Sequence, residues 1–103
     1  MHIVIFITVP NRKEAKNIAS QLVKNKLAAC VNIVEKLESL FWWQGKLDRA
    51  KETLLIVKSK KEKLAKIIKL VKLLHSYEVP EIIALSIIGG YKPYLSWIND
   101  SVR

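Results

Sequence analysis

Two long strand-forming runs, Leu27 to Trp43 and Lys46 to Ser59, meet at Gln44-Gly45. A polar residue followed by glycine between such runs predicts a tight hairpin, because glycine takes positive φ without steric cost. Each arm of about 14–16 residues would reach roughly 45–55 Å if fully extended at ~3.3 Å per residue. A globule of this length has a radius of gyration of about 13 Å. The hairpin therefore outruns one compact protomer unless it bends, and a bulge or break is expected near Glu35-Lys36-Leu37-Glu38. At its tip, the neighbouring side chains of Trp42 and Trp43 point to opposite faces. Both cannot enter one protomer's core, so a partner subunit is the expected cover for at least one of them.

The remaining elements follow from periodicity. His2 to Val9 is an apolar, β-branched run suited to a strand buried on both faces. Pro10 ends it, and Asn11-Arg12-Lys13-Glu14 reads as an N-cap with a glutamate at N3, the pattern of a capping box. Ala15, Ile18, Ala19, Leu22 and Val23 continue at helical spacing to a stop at Asn25. Lys60 to Leu74 is the clearest helix, with Leu64, Ile67, Ile68, Val71 and Leu74 on one stripe. After Pro80, Ile82 to Ile88 reads as a buried strand ended by Gly89-Gly90. Tyr91 to Val102 reads as a short helix packing through Tyr94, Leu95, Trp97 and Ile98. The order β-α-β-β-α-β plus a terminal helix predicts an α+β, ferredoxin-like sandwich with both main helices on one face of an antiparallel sheet. The other face needs cover, which again points to subunit packing. The length fits one domain over residues 1–103.

Composition narrows the function classes. The formal charge is +9, from 18 basic and 9 acidic side chains, and half the chain is apolar. Only Arg12, Arg49 and Arg103 are arginines. Lysine is a hydrated point charge, less suited than arginine to bidentate reading of phosphates and bases. Lys60, Lys63, Lys66, Lys69 and Lys72 recur every third residue, which favours a solvated helix face over nucleic-acid binding. No apolar run approaches the roughly 20 residues of a spanning helix, so no membrane partner is expected. A strand-like run begins directly at His2-Ile3-Val4, without a basic region and cleavage site, so a secretory signal is not expected and the expected location is the cytoplasm. The single cysteine, Cys30, precludes an internal disulfide and any paired-cysteine zinc site.

The chemistry-bearing residues are few. Gly89-Gly90 lacks the spacing and lysine of a nucleotide-binding loop, so no organic cofactor is expected. No carboxylate pair has a distinctive acid–base spacing. Cys30, within Ala28-Ala29-Cys30-Val31, reads as a buried strand thiol rather than a nucleophile. The chain is therefore not expected to be an enzyme. An RNA-recognition module would show stacking aromatics on its central strands, whereas Leu54-Leu55-Ile56-Val57 and Ile3-Val4-Ile5-Phe6 are mostly aliphatic. His2, His75, Cys30 and Met1 are the soft or borderline ligands, suited to copper or zinc. No two of them stand at helical i, i+4 spacing.

Four blocks carry a resemblance. Leu27-Ala28-Ala29-Cys30-Val31-Asn32-Ile33, Phe41-Trp42-Trp43-Gln44-Gly45-Lys46, Leu74-His75-Ser76-Tyr77-Glu78-Val79-Pro80-Glu81-Ile82 and Tyr94-Leu95-Ser96-Trp97 resemble, in order, the signature blocks of the CutA divalent-cation-tolerance proteins. The resemblance implies a tight homotrimer, architecturally similar to the PII signalling trimers, whose long hairpins pair strands across subunits. Trp42 and Trp43 would then lie at the trimer interface. It also implies tolerance of divalent metals and binding of copper or another divalent cation. The ligands proposed for bacterial relatives are a cysteine near the end of the first strand and a His-His pair. Here those positions hold Ile7 and Leu74, which leaves His75, with Cys30 as a second ligand. Lys58 and Glu52, with Trp42, Tyr77 and Glu78, are candidates to line a cleft between subunits. The alternative expectation is a PII-like signalling or scaffold trimer whose clefts bind a small anion or a partner protein.

Overall fold

The structure, a computed structural model, describes residues Met1–Arg103. The chain runs β1 (His2–Val9), α1 (Arg12–Lys24), β2 (Cys30–Trp43), β3 (Lys46–Lys60), a 3-10 turn (Lys61–Lys63), α2 (Leu64–Leu74), β4 (Ile82–Ser86) and α3 (Lys92–Ser101). The strands form one antiparallel sheet in the order β2-β3-β1-β4. This is the expected ferredoxin-like arrangement.

The core lies between one face of the sheet and the two main helices. Ile3, Ile5, Ile7 and Val9 of β1 and Leu55 and Val57 of β3 meet Ala15, Ile18, Ala19 and Leu22 of α1 and Ile67 and Val71 of α2. Every second residue of β1 enters this core, because strand side chains alternate between faces. His2, Val4 and Phe6 point the other way and are only half-buried. The expectation of a strand buried on both faces therefore holds for one face of the protomer. β4 departs further from its expected burial. It is the edge strand, it stops at Ser86, and Ile83 and Leu85 are exposed on the open face beside Phe6 and Val4.

The hairpin turn is built as the Gln-Gly pair predicts. Gln44 and Gly45 both take positive φ, 50° and 76°, as a two-residue type I′ turn requires. The bulge falls where the hairpin length demanded one. Val34 pairs with Leu54 and Leu37 with Glu52, so Glu35 and Lys36 face Thr53 alone, and Lys36 takes φ 63°. Such a two-against-one step bends the strand and increases its twist. Beyond it the arm extends the molecule to 44 × 25 × 23 Å.

The helix ends show what local patterns resolve. Asn11 caps α1, its Oδ1 accepting the Glu14 N–H at 2.9 Å. Asn11→Ala is expected to cost about 1 kcal/mol, read from guanidinium melts at fixed protomer concentration; no loss would show that the cap is replaced by water. The second helix starts later than its periodicity predicts. Lys60 is still held extended in the ladder opposite His2, and Lys63 makes no side-chain cap. The three residues between form the 3-10 turn instead of α-helix.

α3 contacts β3 and β1 from the open side of the sheet, where its Tyr94 reaches Cys30. Ile98 and Val102 are buried, whereas Tyr94 and Trp97, both expected on the packing side, are exposed and lie against each other with ring centroids 5.4 Å apart.

Candidate functional site

The most connected polar group lies where the end of β1, the start of α1 and the segment after α2 converge. His75 caps the C-terminus of α2, and its ring is buried. Its Nε2 sits 2.7 Å from the Thr8 carbonyl oxygen. A carbonyl can only accept, so Nε2 carries the proton and Nδ1 presents a lone pair. Nδ1 accepts the Tyr77 N–H at 3.0 Å. The Glu14 carboxylate adds a second tie, accepting the Ser76 N–H at 3.0 Å and lying 3.4 Å from Nδ1. Glu14 thus completes no capping box: its backbone N–H is capped by Asn11, but its side chain is drawn to residues more than sixty positions away.

Tyr77 extends the network. Its ring packs against that of His75 at a centroid distance of 4.9 Å, and its hydroxyl donates to Glu52 Oε2 at 2.8 Å. Glu52 is buried opposite Leu37, immediately beyond the bulge. Burial, then the hydrogen bond to Glu52, then the charges of Glu52 and Glu14 push the Tyr77 hydroxyl up to about 12. An unfolded tyrosine titrates near pH ~10. The neutral phenol is therefore favoured in the folded state, and its stabilisation is complete below about pH 10 and lost as pH rises through 12. Wild type is expected to lose stability over this window more steeply than Tyr77→Phe, compared by denaturant melts across pH. Parallel curves would show that the hydroxyl does not ionise against Glu52.

A second polar cluster lies at the opposite end of the sheet. Lys58 pairs across the ladder with Cys30, and its ammonium contacts Asn32 and lies 4.0 Å from Cys30 Sγ. Cys30 opens β2 and is half-buried, not sealed in a strand interior. Burial first, then Cys30, raises the Tyr94 hydroxyl above its ordinary range.

The structure brings together some of the expected residues and separates others. Glu52 and Tyr77 meet directly. Glu78 is exposed on the following loop, and Trp42 stands on the hairpin arm. Lys58 is six residues along β3 from Glu52, roughly 20 Å at ~3.3 Å per residue. His75 and Cys30 do not meet. Cys30 lies across from Lys58 and Val4, while His75 grips Thr8 about 13 Å further along β1. No three His, Cys, Asp or Glu side chains converge in a protomer, and both ring nitrogens of His75 are engaged. Ile7 is wholly buried in the core. These donors do not fit a chelate built within one chain. Sequence reasoning missed Glu14, read only as a cap residue, and Asn32, whose i+2 spacing from Cys30 already placed it on the same strand face. The Thr8 carbonyl, a backbone atom, leaves no signal in sequence.

The sheet order, the hairpin and the helix placement have close counterparts. A family profile described as CutA1 divalent ion tolerance protein matches residues 3–101. The chain belongs to this family. Among solved CutA1 structures, the divalent cation tolerance protein Cut A1 from Thermus thermophilus superposes with a TM-score of 0.98 at 45% identity, with both chains covered in full. CutA from Archaeoglobus fulgidus, described as a periplasmic divalent cation tolerance protein, gives 0.97 at 47% identity, again over both whole chains. The chloroplastic CutA 1 of Oryza sativa subsp. japonica is 46% identical over 101 residues. The chain spans 57% of that CutA protein's length and 56% of its Arabidopsis thaliana counterpart. No helix is long and apolar enough to cross a membrane.

Proposed function

We propose that the chain assembles as a homotrimer of single-domain protomers, residues 1–103, and contributes to tolerance of divalent cations by binding copper or another divalent ion. The observation that carries this reading is likeness over residues 3–101 to a family named for divalent ion tolerance. Supporting the trimer are the hairpin arm, with Trp42 75% and Trp43 42% exposed, and the uncovered apolar residues Val34, Ile83 and Leu85 on the open sheet face. The proposed ion contacts are Cys30 and His75, the latter only through Nδ1 once its bond from the Tyr77 N–H is released. Because these do not converge in a protomer, the site draws donors from more than one subunit, as symmetry allows by repeating each ligand around an axis. The inter-subunit cleft is proposed to take Glu52, Tyr77 and Glu78 from one protomer and Trp42 and Lys58 from a neighbour. No catalytic role is proposed. The proposed compartment is the cytoplasm.

The test is a titration of reduced, metal-free protein with Cu(I), Cu(II) and Zn(II), beside His75→Ala and Cys30→Ala, with oligomer mass and melting recorded on each sample. Saturable binding at a fixed ratio per trimer, lost in one folded variant, is the expected result. An intact trimer without saturable binding would overturn the metal role and leave the PII-like signalling or scaffold reading, which the Tyr77–Glu52 contact favours as a built polar group beside the hairpin.

A further inference from the structure

The lysine stripe of α2, taken alone, is an ordinary solvated helix face. The fold changes its setting. α1 and α2 pack side by side on one face of the sheet, and their apolar residues are spent in the core. Their outward residues thus form one continuous surface. α1, the 3-10 turn and α2, which make up this layer, hold nine basic and two acidic side chains, and the rest of the chain holds nine basic and seven acidic. Of the formal charge of +9, +7 therefore belongs to the helical layer, and the sheet, hairpin, loops and α3 together carry only +2.

The two acidic groups of the layer do not offset it evenly. Glu14 is turned inward to Ser76 and His75, and Glu62 lies 3.6 Å from the terminal ammonium of Met1. Arg12 is drawn aside to Glu35 of β2 at 3.6 Å. Lys13, Lys16, Lys24, Lys66, Lys69 and Lys72 remain exposed without an acidic partner within ion-pair distance. Each helix presents its lysines over about 10–20 Å at ~1.5 Å per residue, with neighbouring helix axes about 8–10 Å apart. A duplex carries one negative charge per ~1.7 Å of its axis, so such a surface faces several phosphates at once.

We propose that the α1–α2 face is a docking surface for the phosphodiester backbone of duplex nucleic acid, bound without sequence preference. Phosphate contacts position a protein and carry no sequence information, and lysine point charges suit that role. The commonest base-specific contact is an arginine fork, and Arg12, the one arginine of the layer, is engaged with Glu35. An anionic membrane is disfavoured as the occupant. Membrane-surface helices insert an apolar stripe, whereas here the stripes face the core and only Val23 and Leu73 are large apolar residues exposed on the layer. The surface is distinct from the hairpin and cleft of the proposed metal role, so either assignment stands without the other.

The test is fluorescence anisotropy of a duplex of about 24 base pairs with the full chain at about 50, 100 and 200 mM KCl, a range over which phosphate contacts are screened. Two charge-matched triple variants are compared: Lys66→Gln/Lys69→Gln/Lys72→Gln on the layer, and Lys36→Gln/Lys92→Gln/Arg103→Gln outside it. All six positions are exposed, and circular dichroism and oligomer mass confirm folding. The expected results are binding that weakens at least about tenfold from the lowest to the highest salt, as release of several counterions demands, at least a tenfold loss in the layer variant, and at most a twofold loss in the other. Equal losses in both variants would overturn the surface in favour of net charge alone. No binding at the lowest salt would overturn it outright. Stronger capture by phosphatidylserine vesicles than by the duplex would reassign the surface to membranes and overturn the proposal as stated.

Discussion

Ile7→Ala is expected to lower the unfolding free energy by about 2–5 kcal/mol, the range for truncating a fully buried isoleucine. Ile7 is wholly buried near the end of β1 and pairs with Leu55 of β3 and Ile82 of β4. It stands in the middle of the sheet, where the neighbouring strands limit collapse around a cavity. The lost methyl groups forfeit transfer energy, and the space left behind forfeits dispersion contacts on every side. Leu73→Ala provides the control. Leu73 is 76% exposed on α2, and a surface change of this kind stays within about 0.5 kcal/mol. Guanidinium melts of both variants at one protomer concentration check the pair, since association would otherwise shift the midpoint by mass action. A cost at Ile7 no larger than at Leu73 would mean that β1 is not the centre of the core.

Trp42→Ala is expected to weaken assembly by about 3 kcal/mol or more, the cost of removing a tryptophan buried at an interface. The proposal concerns a face of the hairpin arm rather than a single residue. Trp42 pairs across the ladder with Leu47, and Leu40 lies two residues before it on the same face; all three are largely exposed in the protomer. Phe41 and Trp43 occupy the opposite face, where Asp48 and Lys46 are their partners across the ladder. The Leu40–Trp42–Leu47 face is the more apolar and the less covered, so Trp42→Ala is expected to exceed Trp43→Ala in its effect on oligomer mass. Light scattering across a dilution series measures both. Equal, small effects would remove the hairpin from the interface.

The two predictions sit at opposite ends of what sequence can reveal. Ile7 was legible as a core residue from the apolar run of β1, but not which face it would take, because a continuous run has no alternation to read. Trp42 and Trp43 were legible as an excess of aromatic surface, and period-two geometry alone required them to part. The helix of residues 12–24 was legible down to its capping residue, because Asn11 and the Glu14 N–H are three positions apart. The later start of α2 was not, because the pairing of Lys60 with His2 competes with the helix from 58 residues away.

The candidate site divides in the same way. Tyr77, Glu52, His75 and Cys30 were legible as residues, from their blocks and their chemistry. Their partners were not, because hydrogen bonds from His75 to Thr8 and from Tyr77 to Glu52 span 67 and 25 positions. What the sequence alone determined are the features whose causes lie within one or two turns of chain: the Gln44-Gly45 turn, the strand and helix periods, the Asn11 cap, and the bulge that the length of the hairpin required. What only the tertiary structure decided are the features made by elements distant in sequence. These are the diversion of Glu14 to His75 and Ser76, the separation of His75 from Cys30, and the gathering of lysines from two helices onto one face. The physical reason is range. Propensity and capping act over a few residues, whereas burial and charge act between whatever surfaces packing brings within a few ångströms.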